Sequence, residues 1–149
     1  IFYTGLRVSE AVNLKLENID LDNRLIYVIG GKGNKDRIIP ICEKLYPLLI
    51  EYVNNIRPDV GSNKFLCTRK TGKLSPQYIN RLLHKATDSL GYKKNISAHI
   101  LRHSFASNLI LQNAPLPAVQ KLLGHSDLRV TSRYIHQSLK QLEDAVNLL

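Results

Sequence analysis

Four short segments of this sequence carry polar side chains that packing alone does not require. They are TGLRVSE around Arg7, GGKGNKDR around Lys32, HILRH from His99 to His103, and LGHSDLRVTSRYIH, which holds His125 and runs past Tyr134 to His136. The residue types suit a reaction in which negative charge builds up on oxygen. A guanidinium is planar and permanently charged, so Arg7 and Arg102 can each hold oxygens by paired hydrogen bonds, where lysine would act as a point charge. Fixed cations aimed at such oxygens lower the barrier. His99 and Arg102 stand three residues apart, which on a helix puts them at neighbouring positions of one face. A tyrosine hydroxyl has an unperturbed pKa of about 10, so Tyr134 acts as a nucleophile only where a base or a cationic field helps remove its proton. Lys32, flanked by Gly31 and Gly33, has an ammonium able to swing toward a leaving oxygen and protonate it.

Each residue also has an ordinary explanation. Arg7 pairs equally well with Glu10, three residues on, as a surface ion pair with Glu10 steadying it. Arg102 suits a helix surface near a capped start, and Lys35 and Arg37 suit a basic loop that touches backbone phosphates. A lone tyrosine on a helix is commonly a half-buried amphipathic residue. His84, His103 and His136 read as helix residues with local hydrogen bonds. The run GGKGNKDR lacks the GK[ST] order and the following helix of a nucleotide-phosphate loop. Carboxylates are scattered and no His/Cys spacing fits Mg²⁺ or Zn²⁺, so no metal and no cofactor are expected.

The elements that must position these residues follow from periodicity. Apolar residues from Val8 to Leu16 predict a short helix running into an extended turn, with residues 18–23 as its exit. Leu25 to Gly30 and Asp36 to Cys42 are rich in β-branched residues and flank a glycine-containing loop, the pattern of a β-hairpin with a long tip. A third short strand fits Lys64 to Thr68. Glu43 to Asn54 reads as a helix that ends before Arg57-Pro58, followed by loop to Asn63. In the second half Ser75 caps a helix over Pro76 to Leu90, with Gly91 ending it, and Ser97 caps one over Ala98 to Leu111. Leu101, Phe105 and Leu109 are expected to face the core. Pro117 to Leu123 forms a short helix closed by Gly124, Ser126 caps the next, and a last amphipathic helix carries Leu139, Leu142, Ala145, Val146 and Leu149 on one side. The fold class is therefore α+β and mainly helical, with a small antiparallel sheet made of the hairpin and the third strand. No internal repeat or linker interrupts it, so residues 1–149 are expected to form one domain.

Composition narrows the partners. Lys and Arg number 21 against 12 Asp and Glu, leaving a formal charge of +9, which favours a polyanion. No apolar run approaches a membrane span and no signal segment opens the sequence, so an intracellular, cytoplasmic setting without membrane attachment is expected. Cys42 and Cys67 are too few and too far apart for a disulfide framework and read as ordinary thiols.

Taken together and in this order, the four segments resemble the tyrosine recombinase (phage integrase) family from Thr4 to His136. By that resemblance Arg7 is the first catalytic arginine, Lys32 the hairpin lysine, His99 and Arg102 the HxxR pair, His125 the second histidine and Tyr134 the nucleophile. Lys32 is preferred over Lys35 by family position alone. The resemblance implies a site-specific recombinase that cuts one strand of double-stranded DNA at a time through a 3′-phosphotyrosyl intermediate, without metal, and that works as a homo-tetramer on DNA through its carboxy-terminal helix. The sequence begins Ile1-Phe2-Tyr3-Thr4-Gly5 and contains no Met, so it is expected to be a fragment lacking an amino-terminal DNA-clamp domain and the first catalytic-domain helices. A non-catalytic DNA-binding module is the competing reading. It would share the charge but have no use for the six residues together.

Overall fold

The computed structural model describes residues 1–30, 36–92 and 94–124. Lys32, Lys35, His125, Ser126, Tyr134, His136 and the expected last helix lie outside the described residues.

Helix α1 spans Val8–Asn13 and buries Ala11 and Val12. A single 3₁₀ turn, Leu16–Asn18, then leads into strand β1, Ile19–Asp20. Strands β2, Leu25–Val28, and β3, Arg37–Pro40, complete an antiparallel sheet in the order β1-β2-β3. Register pairs Ile26 with Ile39 and Val28 with Arg37. The third strand is thus Ile19–Asp20, within the segment expected to be a turn. Lys64 makes only an isolated bridge to Lys15, because Arg57 takes up the carbonyls that a strand here would use: its Nη2 donates to Ser62 and Lys64 oxygens and its Nε to the Phe65 oxygen.

Alternation along the strands sends Ile26, Val28, Ile39 and Ile41 into the main core with Leu6, Ala11, Leu14 and Phe65. Helix α2, Tyr46–Glu51, continues as a π-helical segment, Tyr52–Ile56, and packs on this core through Tyr46, Leu49, Tyr52 and Val53. Cys42 is exposed and Cys67 buried, both as free thiols.

Helix α3, Pro76–Ser89, starts where Ser75 Oγ accepts from the Tyr78 N–H, as the sequence predicts. Helix α4, Ala98–Leu111, starts at Ser97, and Asn80 of α3 reaches across to accept the Ala98 N–H at 2.9 Å. Helix α5, Leu116–Leu123, closes on Gly124 in the left-handed region at φ 63°. A second core joins α4 and α5 through Ala106, Ile110, Val119 and Leu123.

The buried stripe of α4 differs from the expected one. It runs Ala98, Arg102, Ala106 and Ile110, one residue on from Leu101, Phe105 and Leu109. Phe105 and Leu109 are only partly buried against the second core. A charged side chain at the centre of the stripe shifts the helix face away from the one that hydrophobicity alone selects.

Candidate active site

The segment before α1 is built to present a guanidinium. Gly5 takes φ +62°, and a Cβ there would stand 2.5 Å from Cδ1 of Phe105, so only glycine lets this turn lie against α4. The turn delivers Arg7 to the start of α1, where Glu10 folds back on it. Glu10 Oε2 accepts the Arg7 backbone N–H at 2.8 Å and Oε1 accepts Arg7 Nη1 at 2.9 Å.

Glu10 is the hub of a larger cluster. Arg37 meets its carboxylate side by side, with Nη1 to Oε1 at 3.0 Å and Nη2 to Oε2 at 2.7 Å. Arg102 Nη1 lies 4.0 Å from Oε2. Burial opposes the charged carboxylate, but the Arg37 hydrogen bonds and charge and those of Arg7 prevail, holding the Glu10 pKa at about 2. Three arginines around one glutamate leave two formal positive charges at this point, a field suited to a phosphate.

Arg102 is reached from three sides. Its Nη1 donates to the Gly5 carbonyl and its Nη2 to the Leu123 carbonyl at 2.7 Å, and the residue is 8% exposed. The alternative of a helix-surface charge does not hold: Arg102 is a buried cation whose hydrogen bonds join α4 to the Gly5 turn and to the end of α5. His99 occupies the first turn of the same helix and is exposed.

Arg7 is the more open arginine, with a quarter of its side chain exposed. It lines a cleft of about 340 Å³ together with Ser9, Glu10, Asn13, Val28, Ile29 and Gly30. Gly30 ends the described part of the hairpin, and its N–H donates to Asp36 Oδ1 at 2.8 Å, closing the base of the loop in which Lys32 is numbered. Arg7 and Arg102 are thus brought to one carboxylate and the hairpin loop leaves from the wall of the Arg7 cleft.

Arg37 overturns a second expectation. It is no solvent-exposed loop cation but a buried residue of β3, 8% exposed, with its Nε donating to the Leu122 carbonyl at 2.8 Å. The signal in the sequence was register: two residues before Ile39, Arg37 shares the inward face of the strand. His103 keeps the local role expected of it, with Nδ1 3.2 Å from Ser107 Oγ. Among the described residues no three His, Cys, Asp or Glu side chains gather as a metal ligand set, and no helix is long and apolar enough to cross a membrane.

This arrangement of helices around a small sheet matches a known class. The chain belongs to the phage integrase family, whose model matches residues 1–141. It is 38% identical over 151 residues to the tyrosine recombinase XerD of Staphylococcus aureus strain Mu50, covering 99% of this chain and 51% of that protein. The crystal structure of XerA recombinase superposes with a TM-score of 0.83 at 28% identity, covering 98% of this chain and 54% of that one. The XerH site-specific recombinase, in a post-cleavage complex with palindromic difH substrate, does so with a TM-score of 0.76 at 31% identity, over 98% of this chain and 42% of that one. The chain spans about half the length of the curated relatives it matches.

Proposed function

We propose that the protein containing this chain is a site-specific recombinase that breaks and rejoins double-stranded DNA through a covalent bond between Tyr134 and a 3′-phosphate. The observation that carries this reading is the convergence of Arg7 and Arg102 on Glu10, in a chain of this family that also has Lys32, His99, His125 and Tyr134 in family order.

In the proposed reaction the scissile phosphate docks against Arg7 and Arg102. The Tyr134 oxygen attacks phosphorus in line with the 5′-oxygen, and His99 takes the phenolic proton. Charge that builds on the non-bridging oxygens is met by the two guanidiniums and by a hydrogen bond from His125. The bond from phosphorus to the 5′-oxygen breaks, and Lys32 donates the proton that makes it a hydroxyl. A 5′-hydroxyl from another strand then reverses each step and releases Tyr134. No metal is needed, because the cations are side chains.

Two further parts of the reading concern assembly and place. Similarity to XerH, solved bound to palindromic difH substrate, supports double-stranded DNA as partner. The stripe of Leu139, Leu142, Val146 and Leu149 in the sequence supports exchange of a carboxy-terminal helix between copies in a homo-tetramer on DNA. Deleting residues from Ser138 onward in the full-length protein should then weaken assembly more than DNA contact. Such an enzyme would work in the cytoplasm, where its DNA is.

The test is a denaturing gel of full-length protein incubated with nicked duplex carrying a binding site selected from a random-sequence pool. Retarded, protease-sensitive DNA that forms equally in EDTA supports the proposal. Cleavage that EDTA abolishes, or binding with no covalent product, would replace it with a metal-dependent nuclease or a non-catalytic DNA-binding module.

A further inference from the structure

We infer that Arg37 is a positioning residue for strand transfer: it ties Glu10, the hub of the two proposed phosphate-binding arginines, to the last turn of α5, from which the chain passes directly to His125. The inference rests on the proposed tyrosine chemistry and extends it to a residue that touches neither DNA nor the reacting atoms.

Three observations carry it. First, the guanidinium is fully directed inward, with Nη1 and Nη2 on the two Glu10 oxygens and Nε on the Leu122 carbonyl. Its side chain is 5% exposed. Each of its three nitrogens thus donates to a protein oxygen. Second, Arg37 and Arg102 divide the end of α5 between them, taking the consecutive carbonyls of Leu122 and Leu123. These belong to the last turn, whose carbonyls have no partner within the helix and whose dipole favours cations. Third, Gly124 lies against the same guanidinium. A Cβ at Gly124 would stand 3.0 Å from Arg37 Nη1 and 3.2 Å from its Cδ, and the residue already needs φ +63°. The turn at Gly124 is therefore fitted to Arg37.

Geometry explains why this position needs arginine. Lysine has a charge of the same sign and comparable reach, but its ammonium is a point donor that cannot match both carboxylate oxygens and a carbonyl on a third side. Among the described residues, removing the fork would leave Glu10 to Arg7 and to the more distant Arg102, and the carbonyls of Leu122 and Leu123 to Arg102 alone. Small displacements of such groups are expensive in rate, with a misplacement of about 1 Å costing on the order of 100-fold.

Among the described residues the charged groups facing Glu10 are Arg7 from the start of α1, Arg37 from β3 and Arg102 from α4. Without Arg37, burial acts on the Glu10 carboxyl with less opposition, so its protonation moves up toward the pH range in which the enzyme is assayed.

The experiment uses full-length protein and the selected nicked duplex, comparing the parent with Arg37→Lys, Arg37→Gln and Arg37→Gln/Glu10→Gln. Covalent adduct formation is followed at saturating DNA from pH 5 to 8, with DNA affinity and circular dichroism measured alongside. The expected result is that Arg37→Gln slows adduct formation by about 100-fold while DNA affinity changes less than about twofold, and that Arg37→Lys, though folded, recovers little of the rate. Arg37→Gln should also lose rate toward pH 5 more steeply than the parent, and the added Glu10→Gln should remove that extra pH dependence. A purely structural role would not produce it.

A parent-like rate in folded Arg37→Lys would overturn the inference, since the fork would then be dispensable. So would a loss of DNA affinity with normal rate at saturation, which makes Arg37 a DNA contact. Unfolding of both single variants would make it a folding residue and overturn the inference likewise. A parent that forms no adduct refutes the tyrosine chemistry itself and the inference with it, whereas an active parent with unchanged variants refutes the inference alone.

Discussion

Arg37 and Glu10 meet as two parallel hydrogen bonds of 3.0 and 2.7 Å, linking β3 to α1 at a glutamate that lines the Arg7 cleft. Because the Glu10 side chain is 9% exposed, solvent screens this pair little. Its pKa, lowered from the ordinary 4.5 to about 2, corresponds to about 3 kcal/mol of native-state stabilisation at neutral pH. The sign follows from the lowering: the contribution is complete above pH 4.5 and is lost as pH falls from there toward about 2. Glu10→Gln should destabilise the chain by about 3 kcal/mol at pH 7, leaving three arginines without their counter-charge, and should flatten the loss of stability between those pH values. Urea unfolding at pH 7, 4.5 and 3 measures both. Equal loss at every pH would separate the destabilisation from the charge.

Gly5→Ala should be costly for its size. The substitution pays for a left-handed backbone, about 1 to 2 kcal/mol, and forces its Cβ into the Phe105 ring, 2.5 Å away at Cδ1. A total of about 2 to 4 kcal/mol in chemical denaturation is expected. Since the Gly5 carbonyl also accepts from Arg102, Gly5→Ala in the full-length protein should lower the cleavage rate even where the protein remains folded. A parent-like stability would mean that the turn adapts freely.

The sequence made much of this fold legible. Ser75 and Ser97 announce the starts of α3 and α4 through their hydroxyls, Gly124 announces the end of α5, and β-branched residues mark the hairpin. Their signals are local, so one sequence suffices to read them. What stayed hidden depends on contacts between distant residues. Arg102 looks like a surface charge until Gly5, 97 positions away, and Leu123 supply carbonyls for it. Arg37 looks like part of a basic loop until Glu10 and Leu122 are beside it. Ile19–Asp20 is too short to show alternation, and its pairing with Leu25 and Ile26 makes it a strand. Of the candidate site, Arg7, His99 and Arg102 fall among the described residues, and the first and last converge on Glu10, which the sequence offered only as a neighbour of Arg7.

Binding to duplex DNA should be strongly salt dependent. With a formal charge of +9 and Z phosphate contacts, the slope of log K against log salt is expected to be about −0.9Z. Fluorescence anisotropy between 50 and 300 mM salt, on the order of the physiological range, gives the slope directly. Affinity that does not change with salt would contradict a phosphate-led interface.

Lys32→Ala in the full-length protein should slow strand cleavage by roughly 10² to 10⁴, the usual worth of general acid catalysis, with DNA binding nearly unchanged. Replacing the bridging 5′-oxygen of the substrate by sulfur removes the need for a proton, because a thiolate is a stable leaving group. The Lys32 variant should then regain most of its rate. Arg7→Ala should not, since its proposed task lies at the non-bridging oxygens. A Lys32 variant equally slow on both substrates would assign the acid elsewhere, with His99 and Lys35 next in line.

A covalent bond from DNA to Tyr134 places a nucleotide on that residue, and the nucleotide can be located. Full-length protein is trapped on the nicked duplex, denatured, treated with nuclease and trypsin, and sequenced by mass spectrometry, with Tyr134→Phe treated in parallel. The expected result is a nucleotide joined through its 3′-phosphate to the tryptic peptide of residues 134–140, and no adduct in Tyr134→Phe despite unchanged DNA binding. An adduct mapped to any other residue, or one that persists in Tyr134→Phe, would contradict it.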